Sequence, residues 1–372
     1  MVTESSAAAV LVGGVSRGGT PRPGIGRSGA LETLDRLAGA AWTVDGDGGR
    51  AISFAVATAP ELPRPGGGDT LGLFDALATV AAADLTAARV LEAHTDALAI
   101  LAQAAADTDT DHTAAADDVS WGVFAAEAPG QRVSATLGTD GWQLDGVKPW
   151  CSLAGSLDHA LVTAHTTPEG TLPGRRRLFA VDLTAPGITV QEGAWVATGL
   201  TQVPSGPVSF AGAAAVPVGA DGWYLDRPGF SWGGIQVAAC WWGGAIGVAR
   251  RLRAAAADRE PDQIMLAHLG AVDLALRGAG AALADAAAAI DNGEAVGAAG
   301  ALLAARVRGL VARSVDEVLT RVGHALGPAP LALECRHARR VADLGLYVRQ
   351  HHAERDDAAL GARLLAAGTP SW

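Results

Sequence analysis

The segment 141–164 constrains the fold of the chain more than any other stretch. It reads GWQLDGVKPWCSLAGSLDHALVTA, and its first half alternates apolar and polar residues up to an Asp-Gly pair at 145–146. Such an alternation ended by Asp-Gly predicts a strand that runs into a tight hairpin turn. Extended structure resumes over 147–151, where Pro149 favours an edge or a bulge, and 159–165 forms a third strand. We therefore predict a three-stranded antiparallel meander.

Composition excludes several classes of function. The chain has 372 residues, of which 49% are hydrophobic, and this is enough to bury the cores of two or three domains. Its net charge of −11 makes it a poor nonspecific binder of nucleic acid or of an anionic membrane. Three scattered cysteines fit free thiols in a reducing compartment. With no signal-peptide pattern and no apolar run of roughly 20 residues, we expect a cytoplasmic protein without a membrane span.

Hydrophobic periodicity divides the chain into three parts, which gives a multidomain α+β fold. Helical spacing predicts an N-terminal mostly helical domain at 1–118, with helices over 31–38, 71–80 and 83–105 and a candidate extended segment at 51–57. Strand-like segments predict a middle antiparallel β-domain at 119–225, formed by 121–126, 132–137, the meander, 177–183, 188–194 and 206–210. Long helical segments predict a C-terminal antiparallel helical bundle at 226–372, formed by 234–257, 261–290, 296–326, 330–351 and 356–367.

A short motif in the meander resembles the acyl-CoA dehydrogenase family. Its residues are Gly146, Lys148, Trp150 and Ser152, in the spacing G-x-K-x-W-x-[ST]. In that family the tryptophan packs against a flavin ring, and the hydroxyl two places on, with the nearby backbone at Cys151, contacts the reactive edge of the flavin. Strand alternation would send Trp150 and Ser152 to the same side. A buried tryptophan in a β core is the alternative interpretation.

The order of the three domains is also similar to that family, most closely over 120–250 and least over 1–80. The resemblance implies bound FAD, with further contacts at Ala126 and Gly130 in the strand-and-turn before the meander and at His324 and Gly327 near the end of a bundle helix. Several of these positions depart from the family pattern. Ala126 occupies the position of a threonine that donates to the flavin ring in the family. Gly130-Gln131-Arg132 occupies the positions of the Gly-Ser-Asp that contacts the pyrophosphate there. Only one glycine of Gln-x-x-Gly-Gly survives, at Gly327.

The resemblance also implies where substrate and base should lie. The first bundle helix floors the acyl pocket in the family, so Trp241, Trp242 and Gly244 are candidate pocket residues; because adjacent side chains on a helix point about 100° apart, only one tryptophan can face a cavity. The usual catalytic Glu is absent. Eight positions beyond Asp343, where the family has its base, this chain has His351, with Glu354 one turn on. These two are the candidate substitute bases.

We therefore predict a flavin-dependent oxidoreductase that removes an α-proton from an acyl thioester and passes hydride to FAD. A flavin monooxygenase or oxidase on the same fold is one alternative, and a non-catalytic paralogue that acts as a structural partner is another. An electron-transfer flavoprotein or a reductase would be the redox partner. The apolar helices at 261–326 predict a homodimer or homotetramer, and no metal is assigned. A G-x-G-x-x-G match at 24–29 is interpreted as part of a flexible arm, because the strand that a dinucleotide site requires does not directly precede it.

Overall fold

The structure is a computed structural model that describes residues 8–12, 27–108, 118–169, 174–191, 193–258 and 260–368. The G-x-G-x-x-G match at 24–29 lies outside these ranges. Within them, strands of one β-domain separate two groups of helices, in the order expected from the sequence. The boundaries of the three predicted domains remain a prediction.

Four helices form the N-terminal part: α1 Arg27–Val44, α2 Gly48–Thr58, α3 Thr70–Ala83 and α4 Leu85–Thr108. The extended segment expected at 51–57 is wrong, because these residues lie in α2. Asp47 caps this helix by accepting a 2.7 Å hydrogen bond from the Arg50 amide, and Ala51 and Ala55 bury one face at helical spacing. Helix α3 is buried along nearly its whole length.

Seven strands form the β-domain: β1 Trp121–Phe124, β2 Val133–Gly138, β3 Gly141–Lys148, β4 His159–His165, β5 Arg176–Asp182, β6 Ile188–Val190 and β7 Val208–Val218. Strands β4, β2, β3, β7 and β5 pair in that order, and β5 returns to β4, so that the sheet closes into a small barrel. The purely antiparallel sheet predicted from the sequence is wrong. Strand β4 runs parallel to β1 over four residue pairs and meets β2 in parallel at one pair.

The predicted meander is also wrong, because Asp145-Gly146 is a bulge and not a hairpin turn. Strand β3 runs through this pair, and the tight turn lies earlier, where Gly138 pairs with Gly141. The register against β7 shifts between Leu144 and Asp145. Gly146 has φ +121°, and a Cβ there would lie 2.0 Å from the Arg132 carbonyl oxygen. Only glycine fits this position. The Asp-Gly pair therefore indicates a β-bulge here and not a hairpin turn.

Seven helices follow: α5 Trp223–Asp226, α6 Pro228–Ala257, α7 Gln263–Asp291, α8 Gly297–Leu326, α9 Ala329–Leu333, α10 Cys335–Tyr347 and α11 Glu354–Ala367. The long segments of the bundle lie close to their predicted positions. The exception is the single helix expected over 330–351, which is broken at Glu334 into α9 and α10 and ends in a 3-10 turn at 348–350. Helices α6, α7 and α8 pack side by side.

Helix α7 is long and apolar enough, by length and composition alone, to cross a membrane. The sequence predicted this helix at 261–290 but no membrane span in it. Only 22% of its most apolar window is buried within the chain. Ile264, Leu266 and Leu274 are exposed along it. The apolar side of α7 is therefore largely uncovered within the chain, and the homo-oligomer expected through residues 261–326 remains a prediction.

Candidate functional site

A cavity of about 460 Å³ opens between the helical parts of the chain. Its walls come from α4, the start of α6, the first third of α8 and the start of α11. Small residues of α6 and α8, including Gly233, Gly234 and Ala304, make room for it. The charged and titratable side chains on its walls are Glu92, Asp96, Tyr224, Arg227, Arg308, His351, Asp356 and Arg363. The cavity therefore carries charged groups of both signs on walls that also contain apolar residues such as Phe230 and Val237.

Glu92 is the most enclosed carboxylate of this cavity, with an exposure of 6%. Arg89 Nη1 donates to its Oε2 at 3.1 Å, and the Tyr347 hydroxyl donates to the same oxygen at 3.0 Å. Burial raises the pKa of Glu92, while the Arg89 guanidinium opposes that rise. The guanidinium also lies 5.9 Å from the centre of the Tyr347 ring. These contacts hold the Glu92 carboxyl group in one orientation.

Asp96 lies one helical turn further along α4 and faces Arg227. The Arg227 Nη2 atom is 3.6 Å from Asp96 Oδ1, while Nη1 donates to Gln103 Oε1 at 2.7 Å. Within the described residues, neither Nε nor Nη2 of this buried arginine has a hydrogen-bond partner. Burial also raises the pKa of Asp96, and Arg227 lowers it. The cavity thus has a second acid, held more loosely than Glu92.

His351, a predicted base, lines the cavity and is 8% exposed. The Ala353 amide donates to its Nδ1 at 3.2 Å, and this contact places the proton of the neutral ring on Nε2. The Nε2 atom is 3.7 Å from Asp356 Oδ2. Burial lowers the pKa of His351. Glu354, the other candidate, is exposed on the first turn of α11 and does not line the cavity.

The candidate pocket residues of α6 lie beyond the cavity wall. Trp241 is fully buried, with the Arg308 guanidinium 4.7 Å from its ring centre and Tyr347 packed edge-on at 6.2 Å. Trp242 points elsewhere and donates from Nε1 to the Leu276 carbonyl of α7 at 2.9 Å. Gly244 faces Leu85 and Leu344. The face of α6 that would floor an acyl pocket is therefore filled by the protein's own side chains.

The flavin motif lies on the β-domain side of Glu92. Residues 149–151 follow β3 and are not in a strand, so the alternation expected for Trp150 and Ser152 is wrong. Trp150 instead has φ +59° and a 60% exposed side chain. The interpretation of Trp150 as a buried core residue is also wrong. An exposed tryptophan held in a left-handed backbone presents a flat apolar surface that a flavin ring could cover.

Ser152 connects this surface to the cavity. Its Oγ shares a 2.8 Å hydrogen bond with Ser205 Oγ and accepts a 3.2 Å bond from Arg89 Nη2. Arg89 therefore bridges Ser152 and Glu92. Cys151 is buried between them and the β core, its amide donates to the Gly206 carbonyl at 3.0 Å, and burial raises its pKa to about 12. The Cys151 thiol is accordingly structural and not reactive.

Lys148 of the same motif anchors the strand end. Its side chain is only 2% exposed, and Nζ donates to Glu127 Oε1 and to Thr163 Oγ1, each at 2.8 Å. These bonds fix the turn that carries Ala126 and Gly130. Both of these residues are exposed, and Gly130 has φ +75° with open space where a Cβ would stand. Backbone access for a phosphate is therefore present at Gly130.

The positions that the resemblance assigns to the distal end of FAD fit that role less well. Arg132 Nη2 donates to the Thr167 carbonyl at 2.6 Å, which ties its guanidinium to the chain. His324 and Gly327 lie at the C-terminal end of α8, and His324 stacks edge-on with His268 at 6.1 Å. His324 follows Arg308 by sixteen positions, roughly 24 Å along the helix axis. The cavity and these two residues are therefore at opposite ends of α8.

Asp343, which marks the family's Asp position, has a structural role. Its Oδ1 accepts a 2.6 Å hydrogen bond from the Leu200 amide, and this holds the loop that leads to Ser205. Burial raises the pKa of Asp343 to about 6.

The sequence interpretation missed Arg89, Glu92 and Tyr347. Two opposite charges three positions apart in the otherwise apolar start of α4 were the available signal. In the described ranges, no three His, Cys, Asp or Glu side chains converge as a metal site would require.

The architecture defines a class, that of the acyl-CoA dehydrogenase fold, and solved structures of that fold match most of the chain. No family model matches the sequence, and no curated protein matches it. The chain is similar to FMN-bound TdsC, a dibenzothiophene monooxygenase from Paenibacillus sp. A11-2. The TM-score is 0.75, and the identity is 19% over 92% of this chain and 98% of that one. KijD3 in complex with FMN and an amino-keto deoxysugar nucleotide has a TM-score of 0.73 and 19% identity over 91% and 94%. Butyryl-CoA dehydrogenase from Megasphaera elsdenii has a TM-score of 0.69 and 19% identity over 80% and 83%. These likenesses confirm the predicted family resemblance at the level of the fold.

Proposed function

We propose that the protein is a flavin-dependent oxidoreductase that oxidises or oxygenates a small polar molecule in the cavity beside Glu92 and His351. The observation that carries this proposal is the set of charged groups on the cavity wall together with their link to Ser152. Arg89 joins Ser152, a residue expected at the reactive edge of the flavin, to Glu92 on the cavity wall. Substrate in the cavity would therefore lie next to the flavin.

Acyl thioester dehydrogenation, the first interpretation of the sequence, has less support. Trp241, Tyr347 and Arg308 fill the face of α6 on which an acyl chain would lie. One observation still favours dehydrogenation. His351, which its spacing from Asp343 predicts at the position of the family's base, lines the cavity. A neutral imidazole of lowered pKa is a weak base for an unactivated α-proton. We therefore rank oxygenase or oxidase chemistry first and dehydrogenation second.

We infer that FMN is a better candidate than the FAD predicted from the sequence. Trp150, Ser152 and the Gly130 backbone could hold the ring and one phosphate. The distal contacts are the substituted ones, because Arg132 is tied to Thr167 and His324-Ala-Leu-Gly327 retains one glycine of the family motif. When bound, the flavin would supply two-electron redox chemistry. The chain itself would orient the substrate and exchange a proton with it.

Two partners belong to the same proposal. A flavin reductase or an electron-transfer flavoprotein would exchange electrons with the bound flavin. A second copy of the chain would cover the exposed apolar side of α7, where Leu266 and Leu274 are uncovered. Sedimentation at micromolar concentration should report a dimer or a tetramer, and a monomer would contradict the predicted homo-oligomer. A cytoplasmic location likewise remains a prediction.

The test of the proposed function follows the visible spectrum of the flavin-loaded protein without oxygen. We expect NAD(P)H with a flavin reductase to reduce the flavin and a panel of acyl thioesters to leave it oxidised. Reduction by a thioester would instead favour the dehydrogenase. In that case His351→Ala and Glu354→Ala, assayed side by side, would identify the base as the variant that loses reduction.

A further inference from the structure

The cavity contains one carboxylate whose surroundings fix it more tightly than its neighbours. Glu92 receives hydrogen bonds from Arg89 and Tyr347, and both end on Oε2. Among the described residues no hydrogen bond ends on its other oxygen, Oε1, and Glu92 lines the cavity. A side chain held by two donors on one oxygen, with the second oxygen toward a cavity, is oriented to accept a hydrogen bond there.

The alternatives on the cavity wall are less suited to accept a proton. The neutral ring of His351 carries its proton on Nε2, because Nδ1 accepts from the Ala353 amide. Asp96 lies 3.6 Å from the Arg227 guanidinium, beyond hydrogen-bond distance, so its carboxylate is less firmly oriented than that of Glu92. Asp356 accepts from the His352 amide at 3.1 Å. Glu354 is outside the cavity. Of the candidate groups, Glu92 alone also connects to Ser152, through Arg89.

We propose that Glu92 is the proton-accepting group of this site and that it takes a substrate bearing an O–H or N–H group. The proposal rests on the proposed function, because the same cavity is used. In the step, the substrate O–H or N–H bond breaks, the proton goes to Glu92 Oε1, and the electron pair stays on the substrate heteroatom. That atom becomes more nucleophilic and easier to oxidise by the flavin and oxygen chemistry of the proposed function.

Arg89 and Tyr347 are positioning residues in this arrangement. Arginine remains charged at all relevant pH values, so Arg89 holds Glu92 and Ser152 in place and carries no proton between them. Burial raises the pKa of Glu92, which makes its ionised carboxylate a stronger proton acceptor than an exposed one. The charged and titratable groups that face Glu92 are Arg89, Asp96, Tyr224, Cys240, Arg308 and Tyr347. His351 and Asp356 lie on the same cavity wall.

The experiment measures binding of phenol and of anisole to the flavin-free protein by calorimetry across the range from acidic to mildly alkaline pH. Anisole has the same ring but no O–H. We expect phenol to bind about tenfold more tightly than anisole once Glu92 is ionised, the ratio that one charge-assisted hydrogen bond supplies, and to lose that advantage at low pH. In Glu92→Gln the preference should no longer change with pH. Asp96→Asn and His351→Gln test the two other groups on the cavity wall. Glu294→Gln, which changes an exposed carboxylate outside the cavity, is the matched control and should keep the pH-dependent preference of the wild type.

A second variant separates positioning from folding. Tyr347→Phe keeps the ring and removes one donor to the Glu92 carboxylate, so the pH at which phenol gains its advantage should move upward. Three results would overturn the proposal. Phenol could fail to bind the wild type, Glu92→Gln could keep the pH dependence of the phenol preference, or only Asp96→Asn could lose that dependence. Because flavin is absent, failure of the proposed function would show separately, as a protein that takes up no flavin.

Discussion

Replacement of Trp150 by alanine should separate flavin binding from folding. A tryptophan side chain buries up to about 250 Å² when fully enclosed, and Trp150 is 60% exposed. Roughly 100 Å² is therefore covered, which limits the loss of unfolding free energy to about 2.5 kcal/mol at ~25 cal/mol per Å². The left-handed backbone, at φ +59°, costs alanine about as much as tryptophan, so strain cancels from the comparison.

Flavin affinity should fall in the same variant, and this loss is measured separately from folding. Stacking of a flat heterocycle on an aromatic side chain is worth about 1–3 kcal/mol, so the dissociation constant for FMN should rise by about 5- to 150-fold. Quenching of FMN fluorescence measures this, and a thermal melt of the same samples reports folding. Trp223→Ala is the control, because Trp223 is half-buried at the start of α5 and its Nε1 donates to Asp107 Oδ2 at 2.8 Å. A folded Trp150→Ala protein that binds FMN within about twofold of the wild type would refute the placement of the ring.

Three further predictions test the packing and the electrostatics. Gly243→Ala should lower the free energy of unfolding by about 1–3 kcal/mol, because its Cβ would lie 2.2 Å from the Ala78 carbonyl oxygen; Gly270→Ala on α7, with open space, should be neutral or stabilising in the same urea titration. Thiol titration of the native protein should find one rapidly reacting cysteine, the exposed Cys335, and all three after denaturation; rapid reaction of Cys151 would contradict its burial. Asp343 binds its proton more tightly when folded, so its contribution to stability is present below pH 3.8 and is lost as pH rises through about 6. Asp343→Asn keeps the acceptor for the Leu200 amide. This variant should remove up to about 3 kcal/mol of the decline in unfolding free energy with rising pH. The same pH dependence of unfolding free energy in the variant and the wild type would contradict the prediction.

The sequence predicted the fold correctly where hydrophobic periodicity and chain-breaking residues indicated the same element. The long helices of the bundle begin and end near their Gly, Pro and Asp breaks, and the strands of the β-domain lie near their predicted segments. The two failures have different physical causes, since one depends on strands that are distant in sequence and the other on a nearby helix cap and on burial. Asp145-Gly146 forms a bulge because β2 and β7 flank it, and 51–57 is helical because the Asp47 cap and core burial override its weak extended pattern.

The candidate site was predictable in part for the same reason. His351 could be placed from its spacing to Asp343, and Trp150 and Ser152 from a local motif. Glu92 could not be assigned a role from sequence, because its role depends on Tyr347, which is 255 positions away. The filling of the α6 face by Arg308 likewise arises from tertiary packing that no local pattern encodes.

The visible absorbance spectrum of the purified protein, titrated with FMN and then with FAD, tests the central claim most directly. The account predicts uptake of one flavin per chain, with the resolved and shifted bands of a flavin in an ordered site, and tighter binding of FMN than of FAD. A protein that takes up neither flavin would contradict the account and would favour the non-catalytic paralogue that acts as a structural partner.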